Sequence, residues 1–274
     1  MPEINDKEKF EYAKRIVSKI LNFQCTGYTD NFLARRIDIR LRRNNLGTYA
    51  EYLHFLEKNP AEQEALRKEL TIHVTHFFRD KEFWQEFNEN IMPEVVRKKK
   101  DARARDIRVW SAGCSSGEEP LSIAICLKET LKENMSGFNI RIYATDYDKD
   151  TIERAKAAHY DDQQFQETSD DLKSRYFTKT ADGSYLAKNT LTSMITYNAG
   201  DILISAMPKN IDLLFCRNTV IYFNTDTKND LYVKFYNILN PGGYFIMGKT
   251  ECLNGPARDM FKVRNVRERI YVKP

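Results

Sequence analysis

Val109-Trp110-Ser111-Ala112-Gly113-Cys114-Ser115-Ser116-Gly117-Glu118-Glu119-Pro120 is the stretch from which the rest of the chain can be read. A short apolar run, Ile107 to Trp110, meets a cluster of small residues, and an apolar helical pattern (Leu121, Ile123, Ala124, Leu127) starts near Pro120. Strand, small-residue turn and helix in that order present a ligand crevice at the carboxyl end of the first strand of an α/β sheet. Small side chains let a ligand approach the backbone closely. The spacing is not G-x-G-x-x-G and no Gly-Lys-Ser/Thr follows, which weakens dinucleotide and P-loop readings. Spacing alone leaves a ligand turn and an ordinary strand-to-helix turn both open.

The next strand narrows the choice. Ile140-Arg141-Ile142-Tyr143-Ala144-Thr145 ends in Asp146. A carboxylate at the tip of a second strand can accept both hydroxyls of a ribose. Alone, Asp146 would read as a cap for the helix that begins near Asp148. With the small-residue turn beside it, the ribose reading is preferred.

The 274 residues suffice for one large or two modest domains, and the net charge of +4 does not indicate a whole-molecule polyanion binder. The five cysteines (Cys25, Cys114, Cys126, Cys216, Cys252) lack paired metal-type spacing, and Cys126 and Cys216 lie in apolar patterns that suit buried, reduced thiols. None of the four histidines falls in H-E-x-x-H, so no metal site is expected. A polar amino terminus and the lack of a long apolar run predict no signal peptide and no membrane span. The expectation is a soluble cytoplasmic protein, with a monomer as the default.

Residues 1–79 read as a helical domain and 80–274 as an α/β domain. Asn5-x-x-Glu8 and Thr48-x-x-Glu51 have the form of capping boxes, Asp30 can cap the second helix, and Asn59-Pro60 ends the third. In the second helix Leu33, Ile37 and Leu41 share a face, while Arg36, Arg40 and Arg43 form a stripe at i, i+4, i+7 and Arg35 and Arg42 add to the same charge. Like charges at i, i+4 destabilise a helix slightly, so the stripe suits an acidic partner better than a merely solvated face. Phe77 and Phe78 read as core, and Arg79 beside them could pair with an anionic ligand group. Asp80 can cap the following helix, and the basic run Arg97 to Arg105 reads as a solvated loop. Between residues 165 and 196 short strand-like pieces around Asp182-Gly183 predict a small antiparallel insertion. Parallel strands then resume at Ile211 to Cys216 and Tyr244 to Met247, and the end reads as an antiparallel hairpin.

A strand-turn acid, a second-strand acid and a closing hairpin are the layout of class I S-adenosylmethionine (SAM)-dependent methyltransferases. Three stretches sharpen this: Thr75-His76-Phe77-Phe78-Arg79, Trp110-Ser111-Ala112 through Gly117-Glu118-Glu119-Pro120, and Phe215-Cys216-Arg217-Asn218-Thr219-Val220-Ile221-Tyr222-Phe223. Together, over essentially the whole chain, they closely resemble the CheR family of chemotaxis receptor methyltransferases. The resemblance implies a Rossmann-like α/β domain with a small β-subdomain insertion behind an all-helical receptor-recognition domain. It implies SAM as methyl donor, S-adenosylhomocysteine as product, and receptor glutamates as acceptors.

Carried over residue by residue, the resemblance puts Thr75 and Arg79 at the methionyl part of SAM, Ala112 in the first turn, Glu118 on the methionine ammonium and Asp146 on the ribose. Asp201-Ile202 falls where the family usually has Asn-Leu near the adenine, Arg217-Asn218 matches its Arg-Asn pair by the cofactor, and Tyr222 its tyrosine near the transferring methyl. His73 stands where a cofactor-contacting Asn is common; this swap and Asp201 for Asn both retain hydrogen bonding. Arg79 and Tyr222 are the expected catalytic pair. The basic helix (Arg35, Arg36, Arg40, Arg42, Arg43) is the expected seat of the cytoplasmic helical domain of methyl-accepting receptors. Phe177 to Ser184 holds a single Gly where pentapeptide-docking members carry a Gly-rich loop, which implies a pentapeptide-independent enzyme.

The reaction needs little from the protein beyond alignment. A glutamate near its reference pKa of about 4.3 is ionised at neutral pH, so the absence of a Ser-His-Asp or Cys-His constellation counts for little. Two other classes stand beside this reading. A SAM enzyme acting on nucleic acid would want aromatics among the arginines of residues 35–43, and there are none. A SAM sensor would bind without turnover, against which Arg79, Glu118, Asp146 and Tyr222 all stand in place.

Overall fold

The computed structural model describes residues 6–71 and 74–274. The chain forms two compact units, Met1–Ile72 with Tyr222–Leu231, and His73–Ile221 with Tyr232–Pro274. The boundary thus differs from the expected 79/80 division, and a segment between two strands of the second unit packs with the first.

The first unit is helical: α1 (Asp6–Leu21), α2 (Asp30–Arg43), α3 (Tyr49–Lys58) and α4 (Pro60–Leu70). Ala13, Val17 and Leu21 recur at i, i+4, i+8 on α1 and are buried, as are Leu33 and Ile37 of α2. At α3 the Thr48 hydroxyl accepts from the Glu51 N–H at 3.3 Å and the Glu51 carboxylate from the Thr48 N–H at 3.0 Å. That is the capping box the sequence predicts. Asn59 ends α3 and caps α4 through the Ala61 and Glu62 amides, with Pro60 at the first helical position. Asp30 does not cap α2: Thr29 holds that position, and the Asp30 carboxylate accepts from Lys14 Nζ at 2.8 Å. Asn5, of the other expected capping box, lies outside the described residues. Tyr222–Leu231 joins this unit through a bridge between Tyr28 and Phe223, and through Thr29 N–H to the Tyr222 carbonyl at 3.0 Å.

The arginines of α2 divide. Arg40 grips Glu62 of α4 with Nε and Nη2 at 2.9 and 2.6 Å. Arg36 donates to Glu69 at 3.0 Å, and Arg43 reaches the same carboxylate at 3.4 Å from an exposed position. The stripe Arg36–Arg40–Arg43 therefore carries acids of its own domain, because α4 packs beside α2 with glutamates on the facing side. Arg35 and Arg42 are exposed and form no ion pair among the described residues.

The second unit is built on a seven-stranded sheet with the order β6-β2-β1-β7-β8-β10-β9. Its strands are β1 (Asp106–Ala112), β2 (Asn139–Asp146), β6 (Ile195–Ala199), β7 (Ile211–Cys216), β8 (Leu239–Met247), β9 (Lys262–Asn265) and β10 (Ile270–Val272). The strands β6 to β8 of that order run parallel, and β10 and β9 close the edge as an antiparallel hairpin. Every residue of β7 is buried, as a central parallel strand covered on both faces requires. A helix over Glu118–Leu131 is buried nearly all round.

A second, three-stranded antiparallel sheet comprises β3 (His159–Tyr160), β4 (Phe177–Lys179) and β5 (Tyr185–Ala187). This is the expected insertion with two corrections. It begins with His159, and the strand-like piece Ser193 to Tyr197 is not part of it: Ile195–Ala199 pairs parallel to β2 in the main sheet. Within the span expected to hold only short strands, a helix covers Asp170–Tyr176. The first half of the basic run is not a loop, since a helix over Met92–Asp101 carries Lys98 and Lys99, the latter paired with Asp212 at 2.7 Å; only residues 102–105 are turn and loop. Phe77 packs among Tyr160, Phe165 and Phe177 in the core. No helix of the described residues is long and apolar enough to cross a membrane.

Candidate active site

Chain order fixes where a ligand can sit. From β1 the sheet grows one way through β2 to β6 and the other way through β7 to β8, so a crevice opens beyond the carboxyl ends of β1 and β7. Four predicted stretches lie at the carboxyl ends of the parallel strands: Ala112 to Glu118 after β1, Asp146 at the tip of β2, Asp201-Ile202 after β6, and Arg217-Asn218 after β7.

The first turn is held by its own backbone. Gly113 and Cys114 both donate to the Thr145 carbonyl, at 2.8 and 3.0 Å, and Ser115 N–H donates to Asp146 Oδ2 at 2.8 Å. Gly113 (φ +86°), Ser115 (φ +48°) and Gly117 (φ +95°) lie in the left-handed region, which explains the glycines at the first and last of these positions. A Cβ on Gly117 would come within 2.9 Å of the Tyr197 hydroxyl and 3.0 Å of the Tyr160 hydroxyl, so the turn has no room for one. The Tyr160 hydroxyl donates to the Ser116 carbonyl at 2.9 Å. Asp146 also accepts from Asp148 N–H at 3.1 Å, while Asp148 itself caps the following helix. The cap alternative for Asp146 is thereby answered: the neighbouring Asp does that work.

Glu118 opens its helix and is 1% exposed. The Ser116 hydroxyl lies 2.8 and 3.0 Å from its two oxygens. Burial pushes its carboxyl above the ordinary value, against the Ser116 hydrogen bond, its own backbone and the distant charge of Arg154. A buried carboxylate with no ion-pair partner among the described residues fits an ammonium group from a ligand. Asp201 is also buried, and its Oδ1 accepts from Leu203 N–H at 2.9 Å. Ile202 beside it is buried and apolar, as a wall for a base would be.

Arg79 is half-buried, with Nη1 donating to the Val74 carbonyl at 2.7 Å. Phe78 before it donates its N–H to Ser122 Oγ at 3.1 Å, which ties this segment to the Glu118–Leu131 helix. Thr75 is half-buried, and His73 lies outside the described residues. Asn218 (φ +57°) is fixed by its N–H to Glu251 Oε2 at 3.2 Å, an oxygen that also accepts from Gly248 N–H at 2.7 Å. Burial raises the Glu251 carboxyl. Tyr222 belongs to the helical unit, its ring 4.8 Å from that of Phe32.

Sequence reasoning missed Glu251 and saw only part of the task of Asp80. Asp80 holds the N-cap position of the Lys81–Glu86 helix but makes no side-chain cap; its carboxylate goes to Arg217 instead, at 2.6 Å. No local pattern announces either role, because the partners lie far along the chain.

A small-residue turn, an acid on the second strand and the strand order around β1 define the class: a doubly wound SAM-dependent methyltransferase. Residues 73–270 match the CheR methyltransferase SAM-binding domain and residues 8–71 the CheR all-alpha domain. The chemotaxis protein methyltransferase of Borreliella burgdorferi is 31% identical over 80% of this chain and 79% of its own. That of Listeria innocua is 30% identical over 93% of this chain and 94% of its own. The chain belongs to the CheR methyltransferase family, and SAM is its cofactor.

Proposed function

We propose that this protein esterifies glutamate side chains on the cytoplasmic helical domain of chemotaxis receptors, with methyl groups from SAM. The observation that supports the receptor half most directly is the pair of exposed arginines Arg35 and Arg42 on α2, without an ion pair among the described residues, in a chain whose relatives are named chemotaxis protein methyltransferases. Helices rich in glutamate are the acidic partner such a surface suits, and Arg43 adds to it from the same end.

When bound, SAM supplies an activated methyl on a sulfonium. The chain's task is to hold and align. Glu118 would take the methionine ammonium and Asp146 the ribose hydroxyls, with Thr75, Ala112, Asp201-Ile202 and Asn218 completing the cofactor's surroundings. His73 keeps the place that the resemblance gives it. Arg79 and Tyr222 are assigned the orienting of the reacting carboxylate. Because that carboxylate is already ionised, no base is required, and alignment of this kind is worth about 7–11 kcal/mol. Unchanged turnover in Tyr222→Phe would refute its share.

Independence of a receptor pentapeptide is supported by the turn between β4 and β5, where Thr180 N–H bonds the Ser184 carbonyl at 2.9 Å and Asp182 accepts from Ser184 N–H at 3.1 Å. That turn is short and self-contained.

The test is transfer of a labelled methyl from SAM to a receptor cytoplasmic fragment, followed by mild alkali. Label released by alkali and mapped to glutamate is the expected result. Label that survives alkali would mean a nitrogen or other stable acceptor and would sink the ester assignment. Charge reversal of Arg35 and Arg42 should raise the receptor KM severalfold at low salt, about 0.2–1 kcal/mol per exposed charge, with SAM affinity unchanged.

A further inference from the structure

Arg217 follows β7 directly, and its side chain is only 3% exposed. Its Nη2 donates to the Arg79 carbonyl at 2.8 Å and to Asp80 Oδ2 at 2.6 Å. Its Nη1 reaches Glu119 Oε2 at 3.4 Å, and the guanidinium lies 4.5 Å from the centre of the Phe83 ring. Nε is buried without a partner among the described residues. Glu119 in turn accepts from the Ser111 hydroxyl of β1 at 2.7 Å. The guanidinium is thus enclosed by protein on its Nη2, Nε and aromatic sides.

The segment it grips is strained. Phe78 (φ +56°) and Asp80 (φ +69°) both stand in the left-handed region, on either side of Arg79. Such a conformation costs a non-glycine residue about 1–2 kcal/mol and persists only where neighbours over-determine it. Arg217 supplies that constraint, holding the carbonyl of Arg79 and the carboxylate of Asp80 with one nitrogen. The Trp84 indole N–H adds a second bond to the Arg79 carbonyl at 2.9 Å.

We infer that Arg217, Glu119 and Asp80 form a clamp around a buried guanidinium that sets the position of Arg79, so that Arg217 and Glu119 are positioning residues and Arg217 is not a direct cofactor ligand. The clamp joins the segment before Lys81 to the end of β7, the start of the Glu118–Leu131 helix and, through Ser111, β1. This inference rests on the methyltransferase reading only through SAM, and the receptor takes no part in its test.

The experiment is a double-mutant cycle on the full chain, with SAM dissociation constants from calorimetry and thermal midpoints measured beside them. Arg217→Lys and Glu119→Gln are each made alone and in an Arg79→Ala background. In the otherwise native chain each should weaken SAM binding by about tenfold, and in the Arg79→Ala background by less than about twofold, since the effect travels through Arg79. Equal losses in both backgrounds would mean that Arg217 meets SAM itself and would overturn the inference. Native SAM affinity with only a lower midpoint would overturn it too, leaving the clamp a stability element. Should Arg217→Lys fail to fold, Glu119→Gln and Asp80→Asn run through the same cycle decide the matter. Loss of receptor methylation with the cycle behaving as described would count against the receptor proposal alone.

Discussion

Glu62 and Glu118 are both glutamates with almost no exposed surface, one in each unit, at 4% and 1%. Glu62 receives a two-pronged Arg40 and the Tyr52 hydroxyl at 2.8 Å. Burial alone would raise its carboxyl, but the bonds from Arg40 and Tyr52 carry it below the ordinary value. Glu118 has the same burial and no such cation, and its carboxyl is raised. The first carboxylate is complete within the folded chain; the second has no ion-pair partner among the described residues, which is why the proposed function gives it the methionine ammonium. Burial alone therefore does not single out a candidate site acid; burial without a compensating cation is the better guide.

Breaking the complete pair should have the largest effect. Arg40→Ala leaves Glu62 buried and deprived of its cation, and should cost about 3–5 kcal/mol of unfolding free energy in urea titration. A loss below 1 kcal/mol would show that water reaches the pair. Glu118→Gln should act the other way round: SAM affinity falls by about 100-fold, while stability without SAM holds or rises because a desolvated charge has gone. A variant that loses stability instead would place Glu118 with Glu62 as a structural acid.

The two acids should also tilt stability against pH in opposite senses. With its folded pKa raised, Glu118 gives a contribution that is full below the ordinary value of 4.5 and is lost as pH climbs through the raised value. Glu62, lowered, contributes above 4.5 and loses that contribution as pH falls through its folded value. Relative to the native chain, Glu118→Gln should flatten the decline from 4.5 toward neutrality, and Glu62→Gln should flatten the loss on the acid side. Identical pH profiles for all three proteins would erase the distinction. The smallest expected effect is at the α3 cap, where Thr48→Ala should cost about 1 kcal/mol, read by the same titration.

What the chain discloses in advance is what is local. Thr48 and Glu51 announce their capping box because both partners lie within one turn. The first turn is legible for the same reason, since small residues, a glycine at each end and the acid after them sit side by side. Arg217 is not, because its clamp joins residues separated by 98 and 137 positions. Its neighbour pattern suits a ligand contact and a buried ion pair equally well. The arginines of α2 mislead similarly: a single-signed stripe looks unpaired until α4 brings up Glu62 and Glu69. Ile195–Ala199 reads as part of the insertion because a short alternating strand has one signature at the edge of either sheet.

The excursion of Tyr222–Leu231 into the helical unit bears on how the protein is made. Phe223 is buried there, its ring edge-on to Tyr28 at 4.8 Å, and Asn224 holds the Thr26 carbonyl at 2.8 Å. The unit that leaves the ribosome first is therefore unfinished until most of the other has been synthesised. A nascent or truncated chain ending near residue 72 would show bare aromatic surface at Tyr28, a site for chaperones or self-association.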